Sequence, residues 1–478
     1  MRREKDFLGE AELPEEALYG IHTWRARNNF PDRTSFHSEW LMAIGLVKQA
    51  CYKAVLSFIR SAEERYGRSK LPGFLHEPEI FESLVEAARE LSEGRYYDQF
   101  LVPALQGGAG TSINMNANEI LANVALIKLG RRPGEYALVD PVVHANVYQS
   151  TNDVVPTALK LAVMQLLGLL EKGINGLRAS IELLEGSSRG DLRLAYTQMQ
   201  AAVPSSFGML FGAYNEALSR DWWRVSRCFE RIKVVNLGGG ATGSGMAVPR
   251  FFIMDVIDQL QKLSGLPVTR SQNLTDTTQN LDAIVEVHAI LKALAVNLEK
   301  MSSDIRLLSS DFSGKKTVTI PARQTGSSMM PGKVNPVILE YVIGLSHKVY
   351  SNDMLISGLC GQGLLDLNPY LPIIGHALLE SIKMLEGAVN SLHYHVFNGL
   401  TVNAEVSGEE VLMSPTITTA LLPYIGYSKA TDVALYMKQY SCSVVQANAK
   451  LGYMSDEELL VVLQPDKLLQ LGYSLKDV

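Results

Sequence analysis

Residues Leu281 to Ser309 read LDAIVEVHAILKALAVNLEKMSSDIRLLS. Apolar side chains recur here at helical spacing and cover most of the circumference, more than one buried face can hold. A helix of that kind belongs inside a bundle, within one chain or between neighbouring subunits. The same period continues outward in both directions. It predicts helices at 38–66, 77–91, 116–129, 154–184, 204–232, 249–263, 279–308, 336–356, 370–396 and 428–450. Several are far longer than the average globular helix of roughly 10–14 residues. Strand signals are sparse: KVVN from Lys233 and VTIPA from Val318. The fold class is therefore all-α or nearly so, a bundle of long helices flanked by two smaller lobes.

The chain has 478 residues, long for one compact domain. Composition shifts near Asp140-Pro141 and near Asn403, and the lobes are placed at 1–149, 150–402 and 403–478. With 47% hydrophobic and 20% charged residues the chain is globular, not disordered. A net charge of −6, with no Lys/Arg cluster interleaved with aromatics, argues against nucleic acid as a partner. The opening MRREKDFLGEAELPEE has no apolar core after its charges, so it is no signal peptide. The longest apolar runs are broken by Lys160, Glu171 or Lys172, and no membrane span is expected. Cys51, Cys228, Cys360 and Cys442 lie far apart and read as free thiols of a cytoplasmic protein. His393 and His395 are two apart, which puts them on different faces of a helix, and no metal-ligand spacing occurs elsewhere.

Three polar clusters stand against this apolar background. The first, GSSMMPGKVNPV at Gly326 to Val337, offers the hydroxyls of Ser327 and Ser328, the Lys333 ammonium and the Asn335 amide. Asn335-Pro336 reads as an N-cap with proline at the first helical position. The second, QGGAGTSINMNANEI at Gln106 to Ile120, leads through glycines to Thr111, Ser112 and Asn114. Its Asn116 and Glu119 have capping-box spacing. The third, QSTNDVVPTALKLAV at Gln149 to Val163, places Ser150, Thr151 and Asn152 before a long helix. A smaller segment, YTQMQAAVP at Tyr196 to Pro204, adds Thr197 and Gln198 ahead of a proline-led helix. Neutral hydroxyl and amide donors offered repeatedly at helix N-termini suit a small polyanion. GGGATGSGM at Gly238 to Met246 contains GxGxxG, but a dinucleotide fold needs alternating strands and helices, and no second strand is expected nearby. A hinge or close-packing loop is the better reading.

These clusters carry a resemblance. GSSMMPGKVNPV resembles the GSSxMPxKxNP signature of the aspartase/fumarase superfamily. QGGAGTSINMNANEI and QSTNDVVPT resemble its other shared regions, in family order, and the GGAGTS form is nearer to the aspartate ammonia-lyases than to the fumarases. The likeness extends from about residue 6 to the C-terminus. It implies a homotetramer around a helical core, with each active site built from three subunits. It also implies a cofactor-free anti elimination that turns aspartate into fumarate and ammonia through an aci-carboxylate. The partner is then a small dicarboxylate, aspartate or fumarate.

By the same resemblance Ser327 is the base, on a loop that closes over substrate. Ser328, Ser150, Thr151 and Thr111, with Ser112 beside them, hold the reacting carboxylate. Lys333, Asn335 and Thr197 hold the other, and Asn152 meets the amino group. Three departures bear on the substrate: Thr197-Gln198-Met199-Gln200 replaces Thr-His-Leu-Gln, Tyr196 replaces an arginine, and Asp140-Pro141-Val142-Val143 replaces HPND. Gln198 can hydrogen-bond but cannot titrate as an imidazole. A fumarase, or another fumarate-releasing lyase, is the alternative.

Overall fold

The computed structural model describes residues 1–312 and 316–476. Its chain forms two compact units. One takes Met1–Glu171, Arg224–Lys292 and Lys348–Met384; the other takes Lys172–Trp223, Ala293–His347 and Leu385–Val478. Long helices dominate both, among them Ser38–Tyr66, Thr151–Ser187, Phe207–Ile232, Asp282–Leu308, Val337–Cys360 and Leu371–His395. The strands among the described residues occur only as two-stranded pairs. The all-α class stands.

The first unit is built on Ser38–Tyr66, whose Trp40, Ile44, Val47, Cys51 and Val55 are fully buried. The Trp40 indole donates to Val155 O at 3.2 Å, tying this helix to Thr151–Ser187. Both helices are long and apolar enough to cross a membrane by composition. Their most apolar windows are 67% and 83% buried within the fold, so they are core helices.

The second unit has its own apolar cluster toward the C-terminus, joining Leu194 to Val411, Ile417, Val433, Val444 and Leu459. Leu194 reaches it from an antiparallel hairpin, Leu192–Thr197 with Gln200–Ser206. Thr416 Oγ1 fastens the hairpin by donating to Ala202 O at 2.6 Å.

Several expected boundaries move for local reasons. The helix expected at 116–129 begins five residues earlier, at Thr111. The one expected at 204–232 begins at Phe207, because Pro204 lies in the hairpin opposite Leu194. The helix expected at 279–308 begins at Asp282, because Gln279 ends a separate short helix, Leu274–Gln279, capped by the Asn273 side chain. The expected 428–450 helix is two. Ser441 turns left-handed at φ 47°, and a reciprocal Ser443–Gln446 capping box starts Val444–Leu451. A hairpin at Arg2–Asp6 and Gly9–Leu13 has no counterpart in the sequence reading.

Candidate active site

In the first unit two helix starts meet. The backbone runs through three successive positive φ angles, 84° at Gly108, 59° at Ala109 and 91° at Gly110, and then enters the helix Thr111–Lys128. No side chain caps that start. A Cβ added at Gly110 would lie 3.3 Å from Val155 Cγ1 and 3.7 Å from Thr151 Cγ2, so the start of Thr151–Ser187 abuts it. Thr111, Ser112, Ser150, Thr151 and Asn152 are thereby gathered. The hydroxyls of Thr111, Ser112 and Thr151 have no hydrogen-bond partner among the described residues.

The third cluster is braced from behind. Ser150 N donates to Asp153 Oδ1 at 2.9 Å, and Asn152 N donates to Ser150 Oγ at 3.2 Å. Asp153 Oδ2 also accepts from Gly238 N at 3.2 Å and Gly240 N at 2.9 Å. Burial pushes the Asp153 carboxyl up to about 7 against those three bonds. Asn152 Nδ2 donates to Ala241 O at 2.8 Å, and Asn236 Nδ2 donates to Asn152 O at 2.9 Å. Asn152 Oδ1 has no hydrogen-bond partner among the described residues, and it is an acceptor.

The glycine-rich loop is therefore a brace. A Cβ at Gly243 would fall 2.3 Å from Thr275 N, so only glycine allows this close approach. The expectation of no second strand needs correction, since Val234–Val235 pairs in parallel with Thr269–Arg270 across the helix Arg250–Ser264. The loop's amides nonetheless face the Asp153 carboxylate, where a dinucleotide's pyrophosphate would have to lie.

The Asn116–Glu119 capping box is not formed. Both residues are buried inside Thr111–Lys128. Glu119 instead caps another helix, Ile21–Asn29, accepting from Gly20 N and His22 N at 2.8 Å and Thr23 Oγ1 at 2.6 Å. The sequence reading also missed Lys48. Its ammonium is buried, donates to Asn118 Oδ1 at 2.6 Å and Gln149 Oε1 at 3.0 Å, and is pushed down to about 7 by burial. The signal was a lysine inside the apolar stretch AIGLVKQACY.

The remaining candidates belong to the second unit. Thr197 and Gln198 are exposed at the hairpin tip, with Gln198 and Met199 both left-handed at φ 52° and 62°. The segment is thus a tight turn and not the lead into a proline-led helix. Ser327, Ser328, Lys333 and Asn335 lie on a closed loop. Its neck is pinched by Gly326 N donating to Lys333 O at 2.7 Å and Asn335 Nδ2 donating to Gly326 O at 2.8 Å. Asn335 therefore closes the loop and does not cap the following helix, which begins at Val337. Ser327 Oγ accepts from Met329 N at 3.1 Å and Met330 N at 3.0 Å, while Ser328 and Lys333 extend from the exposed rim.

One further array has the form of a nucleophilic triad. His288 Nε2 lies 2.9 Å from Ser381 Oγ, and its Nδ1 lies 3.0 Å from Asp353 Oδ1. Asn352 Nδ2 already donates to that hydroxyl at 3.0 Å, and both Ser381 and His288 are 0% exposed. No substrate can reach it, so it joins three helices as a buried polar network.

Comparison with known proteins fits this geometry. A lyase family model matches residues 9–351, and a model of the fumarase C C-terminus matches residues 417–470. The chain belongs to the aspartase/fumarase superfamily of lyases. It is 35% identical to the aspartate ammonia-lyase of Bacillus subtilis (strain 168), over 100% of this chain and 98% of that one. It is equally 35% identical to the aspartate ammonia-lyase of Escherichia coli (strain K12), with the same coverage. Among solved structures, a fumarate lyase:delta crystallin from Brucella melitensis bound to cobalt superposes with a TM-score of 0.89 at 33% identity. That match covers 97% of this chain and 98% of that one. A class II fumarase from Schistosoma mansoni superposes at 0.87 over 97% and 98%, and at 24% identity it bears on the fold alone. The chain is a lyase, and its relatives frame the substrate question as one of dicarboxylates.

Proposed function

We propose that this lyase eliminates ammonia from L-aspartate to give fumarate, with Ser327 as general base. The observation that carries the reading is the meeting of two helix starts, where the hydroxyls of Thr111, Ser112 and Thr151 have no partner among the described residues and stand beside Ser150 and Asn152. Neutral donors and helix N-termini stabilise a carboxylate, and they stabilise its doubly charged aci-form more. The free Oδ1 of Asn152 accepts from a substrate ammonium, which favours aspartate. Ser327 Oγ accepts two backbone N–H bonds, so its proton is free to leave and the resulting oxyanion is already solvated by the loop. Lys333 and Asn335 on the same loop, with Thr197 on the hairpin, hold the second carboxylate, and Gln198 beside Thr197 hydrogen-bonds the substrate's amino group.

We further infer a homotetramer whose sites are shared among subunits. Large apolar side chains stand exposed along several long helices, including Leu183 at 75%, Val296 at 51% and Met354 at 79%. The match to a fumarase C C-terminus favours hydration of fumarate as the second reading. Purified protein given L-aspartate without added cofactor should release fumarate, seen by its ultraviolet absorbance, and Ser327→Ala should lose at least about a hundredfold in turnover. Turnover of malate but not aspartate would select the second reading, and an active Ser327→Ala enzyme would remove Ser327 from the base role.

A further inference from the structure

The entry to the Ser327 loop is held far more firmly than its rim. Asn403 N donates to Thr317 O at 2.9 Å, and Val318–Thr319 pairs with Thr401–Val402. Pro321 packs so closely on Gly399 that an added Cβ there would lie 2.8 Å from Pro321 Cγ. Arg323 then reaches the end of the helix Leu371–His395. Its Nε donates to His395 O and its Nη2 to Tyr394 O, both at 3.0 Å. A guanidinium on the last carbonyls of a helix satisfies acceptors the helix leaves open and complements its dipole.

Downstream, Gly326 to Asn335 forms a ring with its own bonds. The neck is closed by the Gly326–Lys333 and Asn335–Gly326 contacts, and Ser327 Oγ fixes the amides of Met329 and Met330 inside it. Between the anchored stem and the ring lie Gln324 and Thr325, both exposed and with no hydrogen bond among the described residues.

We infer that Arg323 is a positioning residue for the base. It fixes the stem, so that the ring carrying Ser327 swings as one body about Gln324–Thr325. This rests on the reading of Ser327 as the base. The geometry gives it a physical reason. Closing a ring that keeps its internal bonds leaves the Ser327 oxyanion solvated throughout the motion, whereas refolding the loop would remove the two amides that solvate it. A stem free to wander would misplace the hydroxyl relative to the substrate carbon, and errors of this kind depress the chemical step.

The test compares the full-length wild type, Arg323→Leu and Arg323→Lys by steady-state fumarate formation from L-aspartate and by hydrogen exchange. Arg323→Leu should lower kcat roughly tenfold or more with a smaller change in KM. Exchange should rise at residues 317–323 and 394–403 while amides 326–335 keep their wild-type protection. Arg323→Lys, able to reach one carbonyl, should recover part of kcat. A kcat within twofold of wild type in Arg323→Leu, or exchange rising in ring and stem together, would overturn the inference. If the wild type forms no fumarate from L-aspartate, the proposed reaction fails by itself, an active Ser327→Ala enzyme removes the base assignment, and the exchange pattern still decides whether Arg323 anchors the stem.

Discussion

On the proposed reading, the Ser327 hydroxyl is prepared for proton abstraction by its own loop. The oxygen accepts two N–H groups from its own loop, at 3.1 and 3.0 Å, so deprotonation leaves the anion with two donors in place. The serine was legible in GSSMMPGKVNPV, but its two donors were not, since they depend on how the loop closes. A histidine pair shows the opposite use of polar side chains. His37 Nε2 lies 3.0 Å from His376 Nδ1, which requires at least one of the two rings to be neutral. Burial first, then the neighbouring His376 and Lys383, hold His37 down to about 4. Its folded pKa thus lies below the unfolded value of about 6.5. The stability it contributes is complete above the unfolded value and is lost as pH falls through the folded one. The difference in thermal midpoint between wild type and His37→Gln should therefore be constant above about pH 7 and shift against the wild type from about pH 6.5 toward 4. A difference that stays flat across that window sinks the assignment.

At the scale of an element, the hairpin Leu192–Ser206 carries backbone strain at its tip. A two-residue turn with both φ values positive is a type I′ turn, which favours Asn-Gly, yet Gln198 and Met199 occupy it. Non-glycine residues held there cost on the order of 1–3 kcal/mol each. The sequence hid this because Pro204 invites reading as a helix start. In a two-stranded hairpin each strand is an edge, and proline's missing N–H is tolerated there. Asn116 and Glu119 misled in the same way, since correct local spacing says nothing about a distant helix that claims the carboxylate. Replacing Gln198-Met199 by Asn-Gly should raise stability by about 1 kcal/mol, read as a higher thermal midpoint. On the proposed substrate-binding role of Gln198, fumarate formation should fall with the loss of its amide. Unchanged turnover in the stabilised variant would show that the hairpin tip plays no part in the site.

At the scale of the whole molecule, the helical period was enough to find the long helices, because each must bury a continuous apolar stripe whatever its neighbours are. The site was legible only where one segment holds several of its groups. Lys48 with Gln149, Asn152 with Ala241, and Arg323 with His395 join segments distant in sequence, and no local pattern records such pairings. The same limit bears on assembly. The helix Asp282–Leu308 is apolar around most of its surface, yet Val296 remains 51% exposed, and Met354 on Val337–Cys360 is 79% exposed. Burying such stripes between copies removes apolar surface from water at roughly 25 cal/mol per Å². On the proposed homotetramer, sedimentation should show four chains of 52.6 kDa moving together. On the proposal that sites are shared among subunits, Met354→Glu, which sets a charge on that exposed apolar stripe, should yield smaller species and abolish fumarate formation with them. A species with the mass of one chain that still turned over aspartate would mean that a single chain holds a complete site.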